Sequence, residues 1–182
     1  NKGLEVIEAN ELFGSPAGDH GVGIDLDGIE VVVHPQSIVH SKATFTDGAT
    51  MAQLSLPTMK LPIAYALAHP DQFDTPYGAI DWATLGTLEF EAPDFEAFPC
   101  LGLAFAAGRS GGTAPAWLNA ANEVAVAAFL KEQIRWVDIA SVNEFVLASH
   151  DGGTGETLDG VLEGDAQARA RAGEIISRME QV

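Results

Sequence analysis

The sequence predicts an α+β chain, in which part of a helix and β-sheet domain is followed by an all-α bundle of about four helices. Three observations carry this. Residues 38–56 read as two strands around Asp47-Gly48, the strongest short hairpin signal in the chain. Residues 70–98 lose regular periodicity and collect Pro70, Pro76 and Pro93 among Asp, Gly and aromatic residues, the composition of an extended linker. From Pro99 onward, apolar residues recur at helical spacing. The expected division is 1–73, 74–98 and 99–182.

Each element has its own local reason. Residues 1–13 form a helix in which Asn1, Glu5, Glu8 and Leu12 share one stripe. Leu4 and Ile7 flank it on one side, and Val6, Ala9 and Phe13 on the other. The polar stripe is narrower than that of an ordinary surface helix. Gly14-Ser15-Pro16 ends it, and a Gly- and Asp-rich loop runs over 17–28. The β-branched run at 29–33 predicts a buried strand beside the hairpin. Along 38–46, Ile38, His40, Lys42, Thr44 and Thr46 fall on one face. A helix follows over 61–69 with Pro62 in its first turn. In the bundle, Trp117, Leu118, Ala121, Val124, Ala125 and Ala128 form one stripe, and Ile139, Val142, Phe145 and Val146 another. The last helix is expected to start at Asp165 as N-cap, with Ala168, Ala172, Ile175, Ile176 and Met179 facing inward.

Bulk properties narrow the function. Twenty-six acidic residues against 9 basic ones give a net charge of −17. That field repels phosphate backbones and anionic membrane surfaces, so nucleic acid and membrane are not expected partners. No apolar run reaches the roughly 18 residues of a membrane span. Cys100 is the only cysteine, so no internal disulfide can form.

The strongest chemical candidates stand at the first helix. Lys2 at a helix start can hold a phosphate with the help of free backbone N–H groups. Glu5, one turn on, can meet a hard divalent cation at the same place. A solvated helix end with a capping-type Glu explains the same residues. His34 and His40 beside Glu5 could make a zinc site for a hydrolase, but six-residue spacing across Pro35 is not a ligand signature. A strand His that bonds locally or lines a pocket is the simpler reading. The GRSGG run at 108–112 lacks the ending of a phosphate loop and a strand before it, and Ser110 lacks a nucleophile context. Asn119, Asn122 and Glu123 fit either a polar rim or a buried network, and Cys100 fits packing.

Seven motifs extend this reading: NKGLEVIEA, VHPQSIVHS, DGATMAQL, MKLPIAYA, FPCLGLA, LNAANEVAVAAFL and DAQAR. In this order, and over essentially the whole chain, the set resembles the 1-deoxy-D-xylulose 5-phosphate reductoisomerase family. The resemblance implies conversion of that substrate to 2-C-methyl-D-erythritol 4-phosphate with NADPH and Mg²⁺ or Mn²⁺, in non-mevalonate isoprenoid synthesis. It implies a homodimer, in the bacterial cytoplasm or in a plastid. Asn1 and Lys2 match substrate phosphate and hydroxyl contacts, and Glu5 matches a metal carboxylate that also approaches the substrate. Ser37 and His40 match polar residues of the catalytic pocket, with Glu5 and His40 as the catalytic candidates. Met59 matches an apolar residue near substrate and nicotinamide.

The departures from the pattern are as informative. The chain has no glycine-rich nucleotide turn, no Asp-Ser-Glu stretch for the other two metal carboxylates and no lid, and residues 21–28 look like a short insertion. One carboxylate does not hold Mg²⁺ tightly. The expectation is therefore a partial reductoisomerase, inactive by itself. A stand-alone, non-catalytic binding or dimerisation module of the same fold is the alternative.

Overall fold

The computed structural model describes residues 1–14 and 24–179. Ser15-Pro16 of the expected helix stop and residues 17–23 of the loop lie outside the described residues, as does most of the short insertion's start. Packing divides the chain into two units, Asn1–Glu30 with Asp94–Val182, and Val31–Pro93. By packing, then, the first helix groups with the bundle, whereas the sequence reading joined it to the hairpin.

In the first unit, α1 (Lys2–Phe13) buries Val6 and Ile7. A 3-10 turn, Leu26–Gly28, follows and is capped by Asp25, whose carboxylate accepts the Gly28 N–H at 2.9 Å. The bundle is α4 (Cys100–Ser110), α5 (Ala114–Leu130), α6 (Asp138–Ala148) and α7 (Leu158–Met179). Its main core joins Trp117, Ala121, Ala125 and Ala128 to Val142, Val146, Ala168, Ala172, Ile175 and Ile176. Most of the expected inner-stripe residues are buried, while Val124, Ile139 and Met179 are partly buried against the core and Phe145 is 57% exposed. Alanines dominate because small side chains let helix backbones approach closely. A second cluster joins Ile7 of α1 to Ala104 and Ala107 of α4 and to Ala114 and Leu118 of α5.

The last helix starts seven residues before the expected N-cap. Thr157 is the cap, its hydroxyl accepting the Gly160 N–H at 3.1 Å. Asp165 stands inside the helix and accepts from Arg169 Nε at 2.7 Å. Gly160 and Gly164 hide the helical pattern from view in the sequence. Gly164 has a packing reason, since a methyl there would come within 3.1 Å of Trp117 Nε1. The GRSGG run is the end of α4 and its connection to α5, with Gly111 and Gly112 at φ 65° and 55°.

In the second unit, β1 (Val39–Thr44) pairs antiparallel with β2 (Thr50–Leu54). Gly48 closes the hairpin at φ 85°, and the Ala49 N–H is bonded to the Asp47 carboxylate at 2.9 Å. Val39 faces Leu54 while Ser41 faces Gln53, so His40 is an extra residue in β1. Such a bulge re-aims a side chain, and the alternation expected along 38–46 does not run unbroken through His40. Residues 29–33 are not the expected buried strand. Only Val33 pairs, bonding Glu91 through two 2.9 Å backbone hydrogen bonds, and Val32 and Val33 are exposed. A β-branched run favours extended backbone, but a strand needs a continuous partner. Helix α2 (Lys60–Ala68) holds Pro62 in its first turn, and α3 (Trp82–Leu85) is a single turn capped by Asp81. Among the described residues, no helix is long and apolar enough to cross a membrane.

Candidate functional site

The start of α1 gathers the three polar residues expected there. Asn1 donates its side-chain amide to Glu5 Oε1 at 2.6 Å, and the Lys2 ammonium pairs with Glu5 Oε2. The first turn brings these groups together, while Val6 and Ile7, on either side of that stripe, anchor the helix in the core. Both charged side chains are substantially exposed. The result is one ammonium and one carboxylate presented side by side, a head suited to an anion and a cation together.

In the second unit, Ser37, His40 and Met59 line one concavity of about 870 Å³. Pro57, Leu61, Pro62, Tyr65 and Phe73 give it apolar walls, and Gln53, Ser55, Thr58, Gln72 and Thr75 add polar groups. Apolar walls with polar groups converging on one hollow are the usual character of a small-molecule site. His40 Nε2 lies 3.2 Å from the Ser55 carbonyl. A carbonyl only accepts, so this nitrogen donates, and in the neutral ring Nδ1 is the acceptor.

Ser37 is held in an uncommon conformation, with φ 51°. Non-glycine residues in this region cost free energy and persist only where neighbours over-determine them. The residues just before Ser37 are held by residues 89–91. His34 Nδ1 donates to the Glu89 carbonyl at 2.7 Å, and its ring stacks on Phe90 at 4.7 Å. Gln36 donates to the Glu89 carboxylate at 2.8 Å and accepts the Glu89 N–H at 3.2 Å. His34 is therefore a clamp residue, and Glu89 and Phe90 were not singled out in the sequence. Nothing in the spacing marks them, because their partners lie more than 50 positions away. Phe73 and Thr75 were missed because they fall in the stretch from residue 70 onward that lacks regular periodicity.

The donor set for a metal is incomplete. Among the described residues, no three of His, Cys, Asp and Glu come together as a metal site. Each imidazole of the suggested zinc pair is tied through one nitrogen to a backbone carbonyl. Glu5 fits one carboxylate position of an oxygen-ligated cation and no more. The displaced carboxyl groups lie elsewhere, in the bundle. Hydrogen bonds from Arg169 hold Glu123 below the usual carboxylate range, and those from Arg135 do the same for Asp138. Asn143, buried at 1% exposure, donates to Asn122 at 3.2 Å, so Asn122 belongs to an interior network and Glu123 to a rim.

Comparison with known proteins identifies the family. Residues 54–171 match the family model described as the DXP reductoisomerase C-terminal domain.

The chain belongs to the DXP reductoisomerase family.

A 1-deoxy-D-xylulose 5-phosphate reductoisomerase of Cupriavidus metallidurans is 54% identical over 172 residues, which is 94% of this chain and 42% of the relative. One from Chloroherpeton thalassium is 50% identical over 93% of this chain and 41% of its own length. The chain thus spans about two fifths of the curated relatives it matches. Among solved structures, the Zymomonas mobilis reductoisomerase in complex with NADPH aligns with a TM-score of 0.85 at 43% identity, over 97% of this chain and 44% of that one. A DOX-P reductoisomerase in complex with NADPH, fosmidomycin and magnesium aligns with a TM-score of 0.87 at 40% identity, over 100% and 44%. The α+β fold of this reductoisomerase-family chain is therefore the family's own.

Proposed function

We propose that these 182 residues carry substrate-contacting groups of a reductoisomerase that converts 1-deoxy-D-xylulose 5-phosphate to 2-C-methyl-D-erythritol 4-phosphate. NADPH and a divalent ion, Mg²⁺ or Mn²⁺, serve as its cofactors. The observation that carries this reading is the concavity of the second unit. Ser37, His40 and Met59, the three residues there that the family resemblance assigns to the substrate, line a single hollow.

The chain's own groups divide the work by chemistry. The Lys2 ammonium and the Asn1 amide bind phosphate and hydroxyl oxygens, and a phosphate competes with Glu5 for Lys2. Glu5, so released, offers its carboxylate to the cation, whose remaining ligands come from outside these residues. When bound, the cation polarises the substrate carbonyl and NADPH supplies the hydride. The neutral form of His40, donating from Nε2 to the Ser55 carbonyl, presents Nδ1 as an acceptor for a substrate hydroxyl. Ser37 adds a hydroxyl, and Met59, Leu61 and Tyr65 exclude water from the hollow. The family's bacterial relatives support a bacterial cytoplasmic setting. The uncovered apolar residues of the second unit, Phe45 and Met51 among them, support assembly as a homodimer.

The test uses a fusion in which the part of the C. metallidurans relative that this chain does not cover is placed ahead of Asn1. Calorimetry with fosmidomycin, NADPH and magnesium is expected to show one site per chain, weakened at least about tenfold by Lys2→Ala, the loss of one charge-assisted bond. Equal affinity in the parent and the Lys2→Ala fusion would remove Lys2 from the site.

A further inference from the structure

We infer that Gly3 and Ala104 form a positioning contact that sets where Asn1, Lys2 and Glu5 stand, which makes the helical bundle the platform of the ligand-binding head of α1. The inference rests on the reading of that head given above and goes beyond it.

Gly3 lies between Lys2 and Glu5 but faces the other way. A methyl group on Gly3 would come 2.5 Å from the Ala104 methyl and 3.3 Å from the Cys100 carbonyl oxygen. Two methyl carbons rest at about 3.5–4 Å, so α1 and α4 pack at a distance that only the missing side chain allows. Glycine is a poor helix former, more costly in a helix than alanine. Its presence in the first turn of α1 is therefore explained by packing and not by local preference. Ala104 is 1% exposed, and Val6 and Ile7 are buried alongside.

The backing cannot yield readily. Cys100, one turn before Ala104, accepts through Sγ from Asn143 Nδ2 at 3.7 Å, and the same amide donates to Asn122 at 3.2 Å. The start of α4 is thereby tied to α5 and α6 through a buried side chain. An added methyl at Gly3 has to move α1, and α1 carries Asn1, Lys2 and Glu5 as one rigid turn. Displacement of positioned groups by about 1 Å costs on the order of 100-fold in turnover.

The experiment is a methyl exchange in the fusion, comparing Gly3→Ala, Ala104→Gly and the pair. Gly3→Ala is expected to raise the substrate KM about tenfold and lower kcat about 100-fold. Ala104→Gly alone leaves KM within about twofold, and the pair recovers at least about tenfold of the lost kcat/KM, although α4 then carries an unfavourable glycine. A purely structural contact behaves differently. KM stays at its parent value, Vmax falls with the folded fraction, and the pair does no better than Gly3→Ala; that pattern overturns the inference. Ala104→Ser presses on the same contact from α4 and covers the case in which Gly3→Ala does not fold. An unchanged KM in folded Ala104→Ser overturns it equally. Hydrogen exchange of the α1 amides on the same proteins is independent of turnover. It is expected to rise in Gly3→Ala and return in the pair, and a flat profile contradicts the inference even if the parent fusion is inactive. Inactivity of the parent alone would count against the proposed function.

Discussion

Gln36 grips Glu89 twice, donating to its carboxylate at 2.8 Å and accepting its backbone N–H at 3.2 Å, across 53 positions of sequence. This pair of hydrogen bonds, with the His34–Phe90 stack, anchors the turn that leads to Ser37, which lines the concavity. Gln36→Glu keeps the shape but sets two carboxylates against each other, and should destabilise by about 1–2 kcal/mol. Adding Glu89→Gln restores a donor for the new carboxylate and should recover most of that loss. A double-mutant cycle in urea measures the coupling, and additivity of the two changes would show that the clamp contributes nothing.

Lys2→Ala removes the ammonium beside Glu5. In the fusion, the substrate KM is expected to rise by about 10- to 100-fold, the equivalent of a lost charge-assisted bond. Steady-state kinetics over a range of salt reads this directly, since the parent's KM should climb with ionic strength more steeply than the variant's.

Acid stability should carry the mark of Asp138. Hydrogen bonds from the Arg135 guanidinium and burial of the carboxylate compete, and the hydrogen bonds win, holding Asp138 below its ordinary value of 3.8. A depressed carboxylate stabilises the fold fully above its unfolded value, and the contribution is lost as pH falls through the lower folded value. Asp138→Asn should therefore melt below the parent at neutral pH, with the gap closing below about pH 4. Melting curves across that range test it, and a gap that stays constant with pH would contradict the assignment.

The bundle core predicts a large cost for a small deletion. Ile176 is 6% exposed among alanines and valines of α5, α6 and α7. Ile176→Ala should destabilise by about 2–5 kcal/mol, because closely packed helices relax little around a cavity. Chemical denaturation gives the value, and a loss below about 1 kcal/mol would mean that the site collapses freely.

Much of this architecture could be read from residue order. The bundle stripes follow from a 3.6-residue period, and the hairpin from Asp47-Gly48 at a turn where Gly48 takes positive φ. The α1 head could be read as well, because Asn1, Lys2 and Glu5 are neighbours on one helix face. What escaped depends on distant partners. The run at 29–33 has strand chemistry but pairs only at Val33. Asp165 resembles a cap only because Gly160 and Gly164 mask the preceding two turns. Neither the placement of α1 on α4 nor the hold of residues 89–90 on His34 and Gln36 leaves any periodic trace.

The most direct measurement is NADPH oxidation by the fusion when 1-deoxy-D-xylulose 5-phosphate and magnesium are added. The account predicts substrate-dependent turnover that falls sharply in Lys2→Ala and in Glu5→Gln. A folded fusion that binds NADPH yet shows no substrate-dependent oxidation would contradict it.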